Sequence, residues 1–279
     1  MTEKLGGRGV WSSELRSGDA AQIVGAASEL EALGYSALWV PDVGGPLFED
    51  LNRLLQATTT VTIATGILNI WRHDPNDVAR WFHALPEDHR RRLLLGIGVS
   101  HGVVVGEKWG RPLTTVTTYL DGLELAGVPL QQVCLAALGP KMLELAKNRT
   151  AGAHPYLVTP EHTAIARAAL GEGLLAVEQG VMLDNDPVAA REIGRAVVKG
   201  YGGLPNYANN WKRLGFTNDD ISSGSDRLVD ALIALDDVAD IEQRIEAHRR
   251  AGADHVCIQV INAPGSPLPL DAWRRLSPL

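Results

Sequence analysis

Four side chains in this 279-residue sequence stand where proton chemistry is feasible: Asp42 in WVPD, His101 in LGIGVSHG, His154 in GAHPYLV and Glu178 in VEQG. Each ends or follows a short apolar run, so burial would shift its proton affinity. A general acid or base needs that tuning together with hydrogen-bond reach to the reacting atom. His101 leads, as part of a glycine-rich segment, with a satisfied, non-catalytic histidine as an equal reading. Asp42 is by residue type more often a helix cap than a reacting acid. His73, in a loop, and His83, in a helix, are weaker candidates, and His162, His248 and His255 read as surface or packing residues. Cys134 and Cys257 sit inside apolar runs and read as small core hydrophobes rather than nucleophiles.

The segments around these residues are rich in glycine: ATGILNI at 64–70, LGIGVSHG at 95–102 and AALGP at 136–140. Glycine lets backbone approach a flat ligand closely. Four helix starts place a turn or capping residue before proline, at Asp74-Pro75, Gly139-Pro140, Thr159-Pro160 and Asp186-Pro187. Proline suits the first helical position, whose N–H lacks an intrahelical partner. Each pair alone is an ordinary cap. Two of them directly follow strands, where bare helix N-termini can receive an anion. No GxGxxG, Walker loop, HExxH or CxxC is present, and no metal site is expected.

The elements that must position these residues alternate along the whole chain. Apolar runs at 9–11, 37–40, 61–69, 93–99, 132–138, 152–157, 174–183 and 255–261 read as eight strands. Most are continuous rather than alternating, as in parallel sheets covered on both faces. Helix-period segments lie between them. Eight β-then-α units without a linker predict one α/β domain over residues 1–279, a (β/α)8 TIM-type barrel, with an open sheet as the alternative. The stretch between residues 183 and 255 is too long for one crossover and predicts extra helices at 187–199, 206–214, 226–234 and 238–251. Net charge is −7 with no basic cluster, which argues against nucleic acid as a partner. Two cysteines, no signal-like start and no long apolar window suggest a cytoplasmic protein that does not enter a membrane.

Taken in order, LGIGVSHG, LAALGPKMLELA, GAHPYLVTPEHT and GSDRLVDALIA resemble the luciferase-like monooxygenase superfamily, and within it a short subgroup of F420-dependent oxidoreductases. The likeness runs from GVW at 9–11 to ADHVCIQV at 253–260. It implies a luciferase-like barrel with a cofactor across its mouth, F420 or alternatively FMN. A non-proline cis peptide at Gly66–Ile67 would back the ring, with Thr65, Asn69, Gly98, Val99, Ser100 and His154 around it. Phosphate would rest on Ala137, Leu138, Gly139 and Pro140, with Lys141 adding charge and Thr159 as a second anchor. Asp42 matches the acid at the end of the second strand. The resemblance also implies a homodimer and a small-molecule substrate.

The chain departs from sugar-phosphate-oxidising relatives, which carry a histidine after the strand-two acid and a glutamate ending strand four. Those positions here are Val43 and Val99. The reading is therefore an F420-dependent oxidoreductase moving a hydride to or from an unidentified small organic molecule, with His101, Glu178 and Asp42 as catalytic candidates. An FMN-dependent monooxygenase and a non-catalytic flavin- or F420-binding protein are the alternatives. Trp39, Trp71, Tyr156 and Tyr207 are expected to form the substrate slot, and the loop at 102–111 is expected to act as a lid.

Overall fold

A computed structural model describes residues 5–106, 109–183, 186–262 and 266–278. The described residues contain ten strands: β1 Gly7–Trp11, β2 Ala37–Val40, β3 Thr62–Thr65, β4 Leu68–Asn69, β5 Leu93–Gly98, β6 Val133–Leu135, β7 Gly152–Ala153, β8 Leu174–Leu183, β9 Ile233–Asp236 and β10 His255–Val260. All pairings are parallel, in the order β10-β1-β2-β3-β5-β6-β7-β8, and β8 pairs with β10 to close the ring. β3 and β4 form one barrel strand interrupted at Gly66 and Ile67, so the barrel has eight staves, as the apolar runs predict.

Alternation along each strand sorts residues between two cores. Val10, Leu38, Ile63, Leu95, Val177 and Ile258 point outward into the layer between sheet and helices. Trp11, Ala37, Trp39, Ala64, Cys134, Ala176 and Cys257 fill the interior. Two tryptophans fit because the residues around them are mostly small. Both cysteines are free and buried there, and burial pushes their thiols up, as a core role requires.

The long interval before β10 holds helices Pro187–Gly202, Pro205–Arg213, Asn218–Ser223 and Asp226–Leu232, followed by helix Val238–Arg250. They pack on a core of their own, with Val198, Tyr207, Trp211, Ile221, Leu228 and Val229 at its centre. The sequence reading extends the helix at 226–234 too far. Residues Ile233–Asp236 are instead a strand, β9, paired with Gly180–Leu183 of β8. The pairing opens because β7 stops at Ala153, which leaves the far half of β8 without a partner on that edge. Three apolar residues directly after a helix, Ile233 to Leu235, show no break in periodicity, which is why sequence alone merges the two.

His162, His248 and His255 are each at most 1% exposed, so the surface reading fails for all three and the packing reading stands. The His248 imidazole lies between Thr163 Oγ1 (2.8 Å) and Gln179 Oε1 (2.9 Å), tying helix Val238–Arg250 to helix Pro160–Leu170 and β8. No described helix is long and apolar enough to cross a membrane. The expected lid at 102–111 starts with a short helix, Gly102–Val105, and Glu107 and Lys108 lie outside the described residues.

Candidate active site

The C-terminal ends of the strands gather the residues that the sequence singles out. The Gly66–Ile67 peptide bond is cis. Its Gly66 carbonyl accepts a hydrogen bond from Trp11 Nε1 at 2.9 Å. A Cβ on Gly66 would sit 2.4 Å from that indole nitrogen and 3.2 Å from His154 Nε2, so a side chain there would displace both rings. Ile67 lies against Gly98, where a Cβ would come within 2.8 Å of Ile67 Cδ1. Glycine at 98 thus makes room for the isoleucine of the bulge. Thr65 is fully buried and its hydroxyl donates to the Gly96 carbonyl at 2.7 Å, so it fastens two staves together. Asn69 Oδ1 accepts from Trp71 N, and Trp71 Nε1 donates to the Val99 carbonyl at 2.7 Å, which locks the strand-three corner to the end of β5. Ser100 follows in the left-handed region at φ 59°.

Asp42 is part of this corner. Its side chain is fully covered and accepts from Asn69 N (3.2 Å), Gly44 N (3.3 Å) and His73 Nε2 (3.0 Å), with Arg72 Nε at 3.6 Å. Burial raises its pKa, but the donors outweigh that, so the carboxyl lies below its ordinary value. Tyr119 holds the His73 carbonyl at 2.9 Å and Phe48 packs on its ring. Asp42 is therefore an ionised anchor that pins the β2 and β4 loops together, with no helix for it to cap.

His154 lies deeper. Its ring stacks on Trp39 with centroids 4.2 Å apart, and Nδ1 donates to the Ala176 carbonyl at 2.9 Å. The other nitrogen, Nε2, keeps its lone pair beside Gly66 and has no partner. Burial pushes this imidazole down to about 4, so it is neutral at neutral pH. Trp39, fully buried and bonded to His255 Nε2 at 3.1 Å, is floor rather than slot wall.

Across the mouth, Glu178 is 1% exposed and Oε2 accepts from Leu157 N at 3.0 Å. Oε1 has no partner. Burial pushes the carboxyl up to about 8. Tyr156 donates to Gln259 Oε1 at 2.8 Å, and its ring touches Trp11 (5.4 Å) and Tyr201 (5.3 Å). Tyr201 meets Tyr207 at 4.8 Å, and Tyr207 meets His101 at 5.8 Å. An aromatic wall thus rises from the barrel into the inserted helices. His101 is half-buried beneath helix Pro205–Arg213. Its pKa is lowered by burial, and a hydrogen bond with Asn206 opposes the shift.

The fourth cluster lies at the start of helix Pro140–Arg149. Of the four Pro-led helix starts that the sequence singles out, those after Asp74, Thr159 and Asp186 are capped by that side chain, whereas Gly139 provides no cap; helices Pro112–Leu125 and Pro205–Arg213 also begin without one. A Cβ on Gly139 would meet nothing closer than Arg213 Nη2 at 4.0 Å, so the N-terminus faces open space. Arg213 Nη2 donates to the Leu138 carbonyl (3.4 Å) and to Asn210 Oδ1 (3.1 Å). Asn210 is 1% exposed with its amide Nδ2 unpartnered. His162 Nε2 donates to the same Leu138 carbonyl at 3.0 Å. Thr159 is spent on its own helix, accepting from His162 N. Ala137 is buried and Lys141 is exposed at the second helical position.

The structure therefore assembles Gly66, Ile67, Asn69, Gly98, Val99 and Asp42 in one corner, and Ala137, Leu138, Gly139, Pro140 and Lys141 in another. Asn210, Arg213, Tyr201 and Gln259 escape the sequence reading. The first three sit on inserted helices with no motif around them, and Gln259 hides in an apolar strand. The one available signal was helical spacing, which puts Tyr207, Asn210 and Trp211 on one face.

Residues 6–126 match the model of the luciferase-like monooxygenase family. Among solved structures, the chain is similar to an F420-dependent secondary alcohol dehydrogenase in complex with an F420-acetone adduct, with a TM-score of 0.72, 15% identity and coverage of 97% of this chain and 96% of that one. It is also similar to the coenzyme F420-dependent tetrahydromethanopterin reductase from Methanopyrus kandleri, with a TM-score of 0.70, 14% identity and coverage of 99% and 98%. The oxygenating constituent of 3,6-diketocamphane monooxygenase from Pseudomonas putida, in complex with FMN, follows with a TM-score of 0.65, 12% identity and coverage of 98% and 97%. Residues 6–126 thus carry the sequence pattern of the luciferase-like monooxygenases, on a chain whose described residues form a closed barrel similar in fold to those structures.

Proposed function

We propose that this protein is an oxidoreductase that holds deazaflavin F420 across the barrel mouth and moves a hydride between it and a small organic substrate. The observation that carries the reading is the uncapped N-terminus at Gly139 with the Arg213 guanidinium beside it, which in turn bonds Asn210, a buried residue whose amide nitrogen has no partner. Helix N–H groups, one guanidinium and one amide donor suit a phosphate, and the open space over Gly139 leaves it room. The cis peptide corner at Gly66–Ile67, where the glycines at 66 and 98 let Trp11 and Ile67 pack tightly into a rigid bulge, suits backing for the flat ring at the other end. The donor set therefore fits a phosphate-bearing flavin or deazaflavin. Bound there, F420 supplies two-electron hydride chemistry, while the protein orients the ring and excludes water. Asp42 holds the corner, and the tyrosine wall closes the mouth over the substrate.

The test is fluorescence and calorimetric titration with F420 and, separately, FMN. Micromolar or tighter F420 binding with weak FMN binding is expected. In Asn210→Ala and Arg213→Ala the affinity should fall about tenfold each with the melting temperature little changed, because each removes a donor to a charged group. Preference for FMN would turn the reading to oxygen chemistry, and binding of neither would overturn it. A homodimer is the assembly expected with this reading, and sedimentation would test it.

A further inference from the structure

Glu178 occupies a position that the family resemblance does not account for. Along β8, Leu174 and Ala176 belong to the barrel interior, so Glu178 and Gly180, two and four residues on, share that face. In the ring of staves β8 is four steps from β3 in either direction, through β7, β6 and β5 or through β10, β1 and β2. The cis peptide and Glu178 are therefore opposite walls of the same mouth. The space beside Gly180 is taken by Ile261, whose Cδ1 would stand 2.8 Å from a Cβ there, with Glu178 Oε1 at 3.7 Å, so the carboxyl borders apolar side chains on that side. The other oxygen is held by the N–H of Leu157, which is turned toward it by a left-handed backbone at φ 50°. One oxygen is thus fixed and the other is buried without a partner.

The ionisable groups set against this carboxyl come from each neighbouring element. They are Tyr156 after β7, Cys257 on β10, and Tyr201 and Tyr207 from the inserted helices. All four are neutral acids, and burial raises the pKa of every one. None of these described neighbours is a countercharge, so burial keeps the proton on the carboxyl.

We propose that Glu178 is the acid that protonates the oxygen of an uncharged carbonyl or conjugated-carbonyl substrate seated between the cofactor ring and the tyrosine wall. The inference rests on the oxidoreductase reading above. When a hydride reaches the substrate carbon, the π bond breaks and its electron pair moves to oxygen. The Glu178 O–H bond then breaks, the proton passes to that oxygen, and the carboxylate remains. The substrate gains two electrons from the reduced cofactor and one proton from the protein. A neutral buried carboxylic acid is well suited to an oxyanion because it donates a strong hydrogen bond without first being discharged. The assignment also explains how the chain works with Val43 and Val99 where relatives place a histidine and a glutamate: the acid has moved to the opposite wall.

A phenolate mimics the oxyanion, so the probe is 4-nitrophenol, titrated by absorbance into the protein with and without F420. The wild type should bind it as the phenolate, and Glu178→Ala should bind about tenfold more weakly. Glu178→Gln keeps the volume and a neutral donor, so it should recover part of that loss. F420 affinity should be equal in all three. Infrared spectra should show a protonated carboxyl band at neutral pH in the wild type that Glu178→Gln lacks. Absence of phenolate binding in the wild type, equal binding in Glu178→Ala or an ionised carboxylate at neutral pH would each overturn the proposal. Intact phenolate binding without F420 binding would instead overturn the oxidoreductase reading and leave the acid in place.

Discussion

Asp42 and Glu178 are both buried carboxyls at strand ends of one barrel mouth, yet their surroundings send them opposite ways. Asp42 collects two backbone N–H groups, an imidazole N–H and a nearby guanidinium, so it stays ionised. Glu178 has one backbone N–H and a ring of phenols, so it stays protonated up to about 8. Burial acts on both in the same direction, and the count of donors decides the outcome. The donor-rich end of the comparison is a structural clamp, and the donor-poor end is a reserve of protons. Pairs of acids driven apart in this way commonly mark an acid–base assignment.

The sharpest break of this contrast is the pH dependence of stability. Glu178 has a folded pKa raised above its unfolded value of about 4.5, so the native state binds the extra proton. Stability should therefore fall as pH rises through the window from 4.5 to about 8, at a slope of roughly 1.4 kcal/mol per pH unit. Glu178→Gln should lose that slope and exceed the wild type in stability at pH 8. Urea denaturation at several pH values measures both, and parallel curves would show that Glu178 is ionised in the fold.

Asp42→Ala comes next in size. It strips the shared acceptor from three donors and should cost about 2–3 kcal/mol in urea denaturation at pH 7. The depressed pKa fixes the sign: the contribution of Asp42 is present above its unfolded value, near pH 4, and disappears as pH falls through the lower folded value. The same substitution should loosen the corner at Asn69 and Trp71 and weaken cofactor binding. A stability equal to the wild type would make the Asp42 network ornamental. The smallest effect is expected from Trp11→Phe, which removes the indole donor to the Gly66 carbonyl while keeping an aromatic ring against Tyr156. It should cost about 1 kcal/mol in the same assay.

Legibility in the sequence varied with how local the cause is. The barrel was readable because continuous Val, Ile and Leu runs between helical periods arise only when strands are covered on both faces. The cis bond sat at the position that the family likeness named, and Gly139 was flagged as the start of a helix. What remained hidden was whether that helix was capped, because Gly139 and Asp186 both read as routine starts before proline. His101 ranked first on a glycine-rich motif, and the structure places it against Asn206 and Tyr207 of the inserted helices. Glu178, embedded in an apolar strand, carried less local signal.

By itself, the order of residues determined the eight barrel staves, the helical layer, the strand-end glycines and the buried cysteines, because each follows from periodicity or from the size of a side chain. Tertiary structure alone decided which acid keeps its proton, where β8 gains a third neighbour, and that Asn210, Arg213 and Tyr201 come to the mouth from residues far along the chain. Those outcomes depend on distances between staves and on the water excluded between them, and neither quantity is written in neighbouring residues.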